Sequence, residues 1–146
     1  MSRGRSDNRP ENVKGRFPNS LVPLVNGKLL IQAARKHNAM IMACNIRCRL
    51  PVEGIVLASM AARAPVMYEI AKSELSYTEF TPASFVEFIV SENERLGNTE
   101  VPFAVHGDHI TVKKEEEVRG VAALIEDEMK AGFTSFAIDA SHMENE

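Results

Sequence analysis

The regular alternation of apolar and amphipathic segments limits the fold of this chain more than any other feature of its sequence. Short apolar runs of strand length lie at residues 39–46, 65–71, 101–107 and 133–142. Segments of helical periodicity precede them, at residues 26–37, 51–64, 81–97 and 111–132. Strands that alternate with helices in this way form a parallel sheet covered by helices. We therefore predict an α/β fold with the element order α-β-α-β-α-β-α-β.

Residues with preferences for helix ends support this assignment. Thr81 and Pro82 suit the N-cap and the first position of the third helix. Gly97 and Gly132 suit the ends of the third and fourth helices. The helix ends are thus predicted from local chemistry as well as from periodicity.

Two architectures match this order of elements: an open, doubly wound sheet, or part of a (β/α)8 barrel. No G-x-G-x-x-G or Walker-type loop follows any of the predicted strands, which weighs against a nucleotide-binding domain. In both architectures, functional sites form at the carboxyl ends of the strands. The residues that follow each strand are therefore the candidates for function.

The composition argues against some functions and indicates a cellular compartment. Seventeen basic and 20 acidic residues give a net charge of -3, which argues against nucleic-acid binding. No apolar run is long enough for a membrane span, so we expect no membrane association. Cys44 and Cys48 flank a strand end where pairing is not expected, and a reduced, cytoplasmic setting fits them better than a disulfide scaffold.

The first 20 residues are polar and mildly basic. Such a segment suits an arm that binds nucleic acid, an anionic surface or a neighbouring subunit. A flexible tail explains the composition equally simply, because the segment has too few apolar residues to form a core. We predict a flexible tail over residues 1–20.

Polar side chains follow all four predicted strands. They are Asn45, Lys72, Ser73, His106, Asp108, His109, Asp139, Ser141, His142 and Glu144. The third strand supplies two imidazoles and a carboxylate within four residues. Imidazole is a common ligand of Zn²⁺, and a catalytic zinc site needs about three protein ligands and an open position. This cluster alone fits metal-assisted proton transfer and a hydrogen-bonded structural cluster equally well.

Two segments carry longer motifs: VHGDHI at residues 105–110 and AGFTSFAIDASHMENE at residues 131–146. The first resembles the H-x-D-H motif of the class II, zinc-dependent fructose-bisphosphate and tagatose-bisphosphate aldolases. The second resembles that family's A-G-F-T-S-x-x-I-D-[AG]-S-H segment, which leads to a Glu-Asn pair. The helix and strand that end in CNI, residues 44–46, also resemble the family's start. The resemblance implies that residues 21–146 form the first half of a TIM (β/α)8 barrel.

The resemblance implies a role for most of the polar strand-end residues. Asp108 matches the acid/base that exchanges a proton at the carbon that is cut or joined. His109 matches a catalytic zinc ligand, and Asp139 and Glu144 match carboxylates of a second or displaced metal position. Asn45 and Ser73 would lie near the substrate, and His106 and His142 would support the site. The implied activity is zinc-dependent cleavage or condensation of a ketose bisphosphate, in an enzyme that forms homo-oligomers.

The chain also departs from the family pattern. Ala71 follows the second strand where the family often has a serine, and Ser73 is out of register. The family's other zinc-binding histidines and its glycine-rich phosphate loops belong to the later half of the barrel. We therefore expect the sequence to be a fragment of a longer aldolase. The alternatives are a non-catalytic scaffold or partner subunit that kept the fold, and a doubly wound binding domain unrelated to aldolases.

Overall fold

Four parallel strands form one sheet in the computed structural model, which describes residues 7–141 and residue 143. The strands are β1 (Met42–Asn45), β2 (Val66–Ala71), β3 (Phe103–Thr111) and β4 (Ser135–Asp139), and they lie in sequential order. The helices are α1 (Glu11–Arg16), α2 (Gly27–Lys36), α3 (Val52–Ala62), α4 (Pro82–Arg95) and α5 (Val118–Ala131). Short 3-10 helices lie at Glu74–Ser76 and Glu115–Glu117. The predicted α/β fold with a parallel sheet is confirmed.

The two faces of the sheet differ in what covers them. On the face we call the outer face, apolar side chains of β2 and β3 pack against α3, α4 and α5; they include Tyr68, Ile70, Phe103 and Val105. The opposite, inner face carries Met67 and Ala104, which pack against Leu30 of α2. Because α2 starts beside Thr134, whose carbonyl accepts a hydrogen bond from the Gly27 amide, it covers the amino-terminal part of the inner face. The carboxyl-terminal part of that face remains available for a site.

The predicted helix ends agree with the structure. Thr81 and Ser84 form a reciprocal capping box at the start of α4, and Pro82 occupies the first turn. Gly97 and Gly132 follow α4 and α5 with φ values of 74° and 108°, in the left-handed region that favours glycine. The longest helices have 14 residues, and within the described ranges no helix is both long and apolar enough to cross a membrane.

The segment predicted to be a flexible tail contains a helix that packs on the domain. Val13 in α1 is 1% exposed and belongs to the outer-face core. Asn12 donates hydrogen bonds to the carbonyls of Met129 and Phe133, at 2.9 and 3.0 Å. The prediction missed this contact because one buried valine and one amide hydrogen-bond pair leave little trace in the composition.

The third strand is longer than the sequence predicts. It continues beyond residue 107 to Thr111, and α5 begins only at Val118, after the 3-10 turn. The H-G-D-H motif therefore lies within β3 and not in the loop that follows it. Pairing with the neighbouring strands β2 and β4 therefore sets the directions of the polar side chains in this motif.

Candidate functional site

A β-bulge in β3 presents the H-G-D-H motif. Gly107 pairs with Phe136 and Ile110 pairs with Ile138, so two residues of β3 oppose one residue of β4. The extra residue lets Ile110 face α5, where it packs with Val121. Asp108 and His109 are the two residues within the bulge. His109 has a φ of 46°, a left-handed conformation that costs about 1–3 kcal/mol for a residue other than glycine.

Three polar side chains meet on the inner face at the carboxyl end of the sheet. Glu69 of β2 pairs in register with His106 of β3, and Asp108 lies two residues further along β3. One ligand atom from each side chain lies within 4.8 Å of the other two. The distance from His106 Nε2 to Asp108 Oδ1 is 4.0 Å. We call Glu69, His106 and Asp108 the inner triad.

Burial changes the protonation of two members of the inner triad. Burial raises the pKa of Glu69, and the nearby carboxylates of Asp108 and Glu74 raise it further. Burial lowers the pKa of His106, although the Asp108 carboxylate opposes this shift. The imidazole is therefore held towards its neutral form, in which one nitrogen can accept a proton or bind a metal ion.

His109 and Asp139 form a second, more exposed pair beside the inner triad. His109 Nδ1 lies 3.8 Å from Asp139 Oδ2, and the His109 side chain is 63% exposed. His109 belongs to β3 and Asp139 to the neighbouring strand β4, where Asp139 pairs in register with Thr111 of β3. The structure therefore brings together two of the three predicted metal ligands. Glu144, the third, and His142, predicted to support the site, lie outside the described residues.

Asn45 lies at the carboxyl end of β1, as predicted, but its amide is held by a residue that the sequence analysis missed. Asn45 Nδ2 donates a 2.9 Å hydrogen bond to Glu74, whose side chain is 4% exposed. The Ala71 amide donates to the same carboxylate at 2.8 Å, and Arg47 Nε also donates to it. Glu74 thus connects the ends of β1 and β2.

Ser73, predicted to contact substrate, is exposed, and the described residues make no hydrogen bond with its hydroxyl. Its carbonyl accepts a hydrogen bond from Ser76. Lys72 reaches across the sheet end, where Nζ donates to the Thr111 carbonyl at 2.8 Å. Neither residue belongs to the inner triad.

Replacing Glu74 with glutamine is expected to destabilise the fold by about 2 kcal/mol at pH 7, because a charged acceptor of buried hydrogen bonds is lost. Burial by itself raises the pKa of Glu74, but the hydrogen bonds from Ala71, Arg47 and Asn45 outweigh it and lower the pKa below 4.5. The stabilisation is therefore complete above that value and is lost as the pH falls through the folded-state pKa.

Urea unfolding at pH 7 and at pH 3 measures this effect. The difference between Glu74→Gln and the unchanged protein should shrink at the lower pH. Glu79→Gln is the matched control, because Glu79 is 66% exposed and its ion pair with Arg49 is expected to contribute at most about 1 kcal/mol. An equal loss of stability in both variants would contradict the role given to Glu74.

Comparison with known proteins identifies the class of protein and then its family. The four described strands and the helices between them match the first half of a TIM-barrel architecture, with polar residues at the carboxyl ends of the strands. The model of the family "Fructose-bisphosphate aldolase class-II" matches residues 25–146. The chain belongs to the class II fructose-bisphosphate aldolase family. The predicted resemblance to this family is confirmed.

Solved structures support the fold. The YdjI aldolase from Escherichia coli K12 superposes with a TM-score of 0.63 and 21% identity, over 83% of this chain and 41% of that chain. A probable tagatose 6 phosphate kinase from Sinorhizobium meliloti 1021 superposes with a TM-score of 0.59 and 25% identity, over 69% of this chain and 29% of that chain. No curated protein matches the sequence. The chain thus spans less than half of either solved structure.

Proposed function

We propose that this chain supplies the first half of the active site of a zinc-dependent aldolase that cleaves and forms a ketose bisphosphate. The observation that carries the proposal is the bulge in β3, which presents Asp108 and His109 together at the carboxyl end of the sheet. Family membership supports aldolase-like chemistry. The choice of a phosphorylated ketose as substrate, a homo-oligomer as the assembly, and a cytoplasmic setting for the free thiols Cys44 and Cys48 belong to the same proposal.

Asp108 is the proposed proton carrier. Its side chain is 35% exposed, so its carboxylate is accessible to a substrate bound over the carboxyl end of the sheet. A positioned carboxylate that exchanges a proton with the substrate at the bond being cut or formed is general acid/base catalysis. On the same face, the Asp108 carboxylate contributes to the raised pKa of the neighbouring Glu69, after burial.

His109 is the proposed ligand of a catalytic zinc ion. Its exposed imidazole and the Asp139 carboxylate 3.8 Å away are donors of the kinds that zinc binds. These two residues fit part of a zinc site, and the remaining ligands would come from the rest of the barrel. When bound, the metal would stabilise negative charge on the oxygen of the ketose carbonyl. Asn45, held by Glu74 at the end of β1, would contact the substrate.

Metal removal tests the proposal on the purified native protein. We expect that dialysis against a chelator stops the cleavage of fructose 1,6-bisphosphate or tagatose 1,6-bisphosphate, and that added Zn²⁺ restores it. Treatment with borohydride in the presence of substrate should leave the enzyme active, because no lysine forms a Schiff base in this chemistry. Cleavage that survives the chelator, or that borohydride destroys, would contradict the proposal.

A non-catalytic partner subunit is the second candidate, and Ala71 favours it. Ala71 ends β2 where the family often has a serine, and its side chain cannot donate a hydrogen bond to a substrate. This candidate predicts no cleavage of either bisphosphate by the native protein and no bound zinc. Stoichiometric zinc in the protein as purified would exclude it.

A further inference from the structure

An arginine at the carboxyl end of β1 is held in a fixed position and still faces solvent. Arg47 lies two residues beyond Asn45, the last residue of β1, and its side chain is 64% exposed. Its Nε donates a hydrogen bond to Glu74, the carboxylate that also accepts from Asn45 and from the Ala71 amide. Because Glu74 is buried and held by these other donors, it orients the guanidinium at the end of the sheet where the site lies.

The two terminal nitrogens of this guanidinium are available to a ligand. Among residues 7–141 and 143, none accepts a hydrogen bond from Nη1 or Nη2 of Arg47, whose bond to Glu74 uses Nε. The edge of a guanidinium that carries Nη1 and Nη2 presents two parallel N–H groups. Such a pair matches the oxygen atoms of a phosphate group, with which arginine forms two hydrogen bonds at once.

Two other basic residues at this end of the sheet already have partners. Lys72, which follows β2, donates from Nζ to the Thr111 carbonyl at 2.8 Å. The Arg49 guanidinium lies over two phenylalanine rings, 5.2 and 4.6 Å from their centroids, and pairs with Glu79. Arg47 is therefore better placed than either of them to hold an anion beside Asn45.

Arg47 is also within reach of a substrate whose reacting carbon lies at Asp108. Asn45 of β1 pairs in register with Glu69 of β2, and Glu69 pairs with His106 of β3. Two interstrand spacings separate β1 from β3, which amounts to about 10 Å. The long arginine side chain and the carbon chain of a sugar phosphate can together bridge this separation.

We propose that Arg47, oriented by Glu74, binds one phosphate group of the ketose bisphosphate and so selects for a doubly phosphorylated substrate. This inference rests on the proposed function, because it concerns the substrate of the same site. It assigns to the first strand a residue that recognises charge, at a distance from the proton carrier on the third strand. Glu74 acts as a positioning residue, since it holds Arg47 and does not contact the substrate.

Equilibrium binding of substrate analogues that cannot be cleaved tests the proposal on the native protein. The analogues are a hexitol 1,6-bisphosphate, in which the ketose carbonyl is reduced, and the corresponding 1-phosphate and 6-phosphate. In isothermal titration calorimetry, Arg47→Gln should weaken binding of the bisphosphate at least about tenfold, because a bidentate, charge-assisted contact is lost. The same change should weaken binding of one monophosphate and alter that of the other by no more than about twofold, because the latter lacks the phosphate held by Arg47.

Arg119→Gln is the matched control, because it removes the same charge from the exposed surface of α5 and should leave the binding of all three analogues unchanged. An equal loss for all three analogues in Arg47→Gln would overturn the proposal and leave Arg47 only a structural role through Glu74. Unchanged binding of the bisphosphate, or no binding by the unaltered protein, would also overturn it.

A second variant covers the case in which Arg47→Gln does not fold by circular dichroism. Arg47→Lys keeps the charge but lacks the paired N–H groups, so it should show the same selective loss to a smaller extent. Failure of the aldolase proposal is separately visible, because the native protein would then bind the bisphosphate analogue through Arg47 and cleave neither ketose bisphosphate.

Discussion

Replacing Asp108 with asparagine is expected to lower kcat for aldol cleavage by about two to four orders of magnitude, because a positioned general acid/base contributes that much to the rate. Asparagine has nearly the same shape as aspartate but cannot carry the proton. KM for the ketose bisphosphate should therefore change only a few-fold. Steady-state kinetics on the purified native protein and on the variant measure both parameters.

The control for this substitution is Asp127→Asn. Asp127 lies on the exposed surface of α5, where its side chain is 70% exposed, and this variant should retain full activity. Circular dichroism should show the same fold for both variants. Full activity in Asp108→Asn would remove Asp108 from the mechanism. A rise in KM with unchanged kcat would give it a role in substrate binding only.

Replacing Glu128 with methionine is expected to stabilise the domain by about 3 kcal/mol at pH 8. Glu128 of α5 is completely buried, and neither oxygen has a partner within the described part of the chain. Its carboxyl lies against Gly107, where a Cβ atom would come within 2.6 Å of Oε2. The side chains of Ile110 and Phe136 would lie 3.2 Å from the same Cβ atom. Methionine offers a similar length without the cost of burying a polar group.

The effect should depend on pH in a defined direction. Burial raises the pKa of Glu128 from 4.5 to about 7. Between these two values the folded protein binds more protons than the unfolded chain, so the free energy of unfolding falls as the pH rises. The loss is complete above pH 7 and amounts to about 3 kcal/mol, at about 1.4 kcal/mol for each pKa unit. Glu128→Met should remove this slope.

Urea unfolding between pH 4 and pH 8 measures the difference between the two proteins. We expect the advantage of Glu128→Met to grow across this range and to level off near pH 8. Glu126→Met is the matched control, because Glu126 lies on the same helix and its side chain is 71% exposed. Its stability should stay within about 0.5 kcal/mol of the unchanged protein. A pH-independent difference for Glu128→Met would show that Glu128 does not titrate in this range.

Most of the fold follows from local chemistry, and this explains why it was predictable. The capping pair at Thr81 and Ser84 and the left-handed Gly132 act within a few residues of their own position. The apolar runs of β2 and β3 are readable because their outer-face residues are buried by helices. The helix α1 was missed because its contacts join residues more than 100 positions apart.

The candidate site was predictable only in part. Asp108 and His109 stand out in the sequence because titratable residues follow a run of apolar residues. Glu69 was missed, although a single charged residue within the otherwise apolar VMYEIA offered a signal. Glu74 offered none, since it lies in a polar segment, and only the fold places its carboxylate against Asn45 and the Ala71 amide. The bulge depends on pairing with β4, which no local pattern describes.

The bulge also makes the presence of His109 independent of the packing of the scaffold. His109 is the surplus residue in β3: removing it would leave Gly107 and Ile110 facing α5 and Asp108 on the inner face. A lineage could therefore gain or lose this imidazole through a single codon insertion or deletion, without moving any side chain of the core.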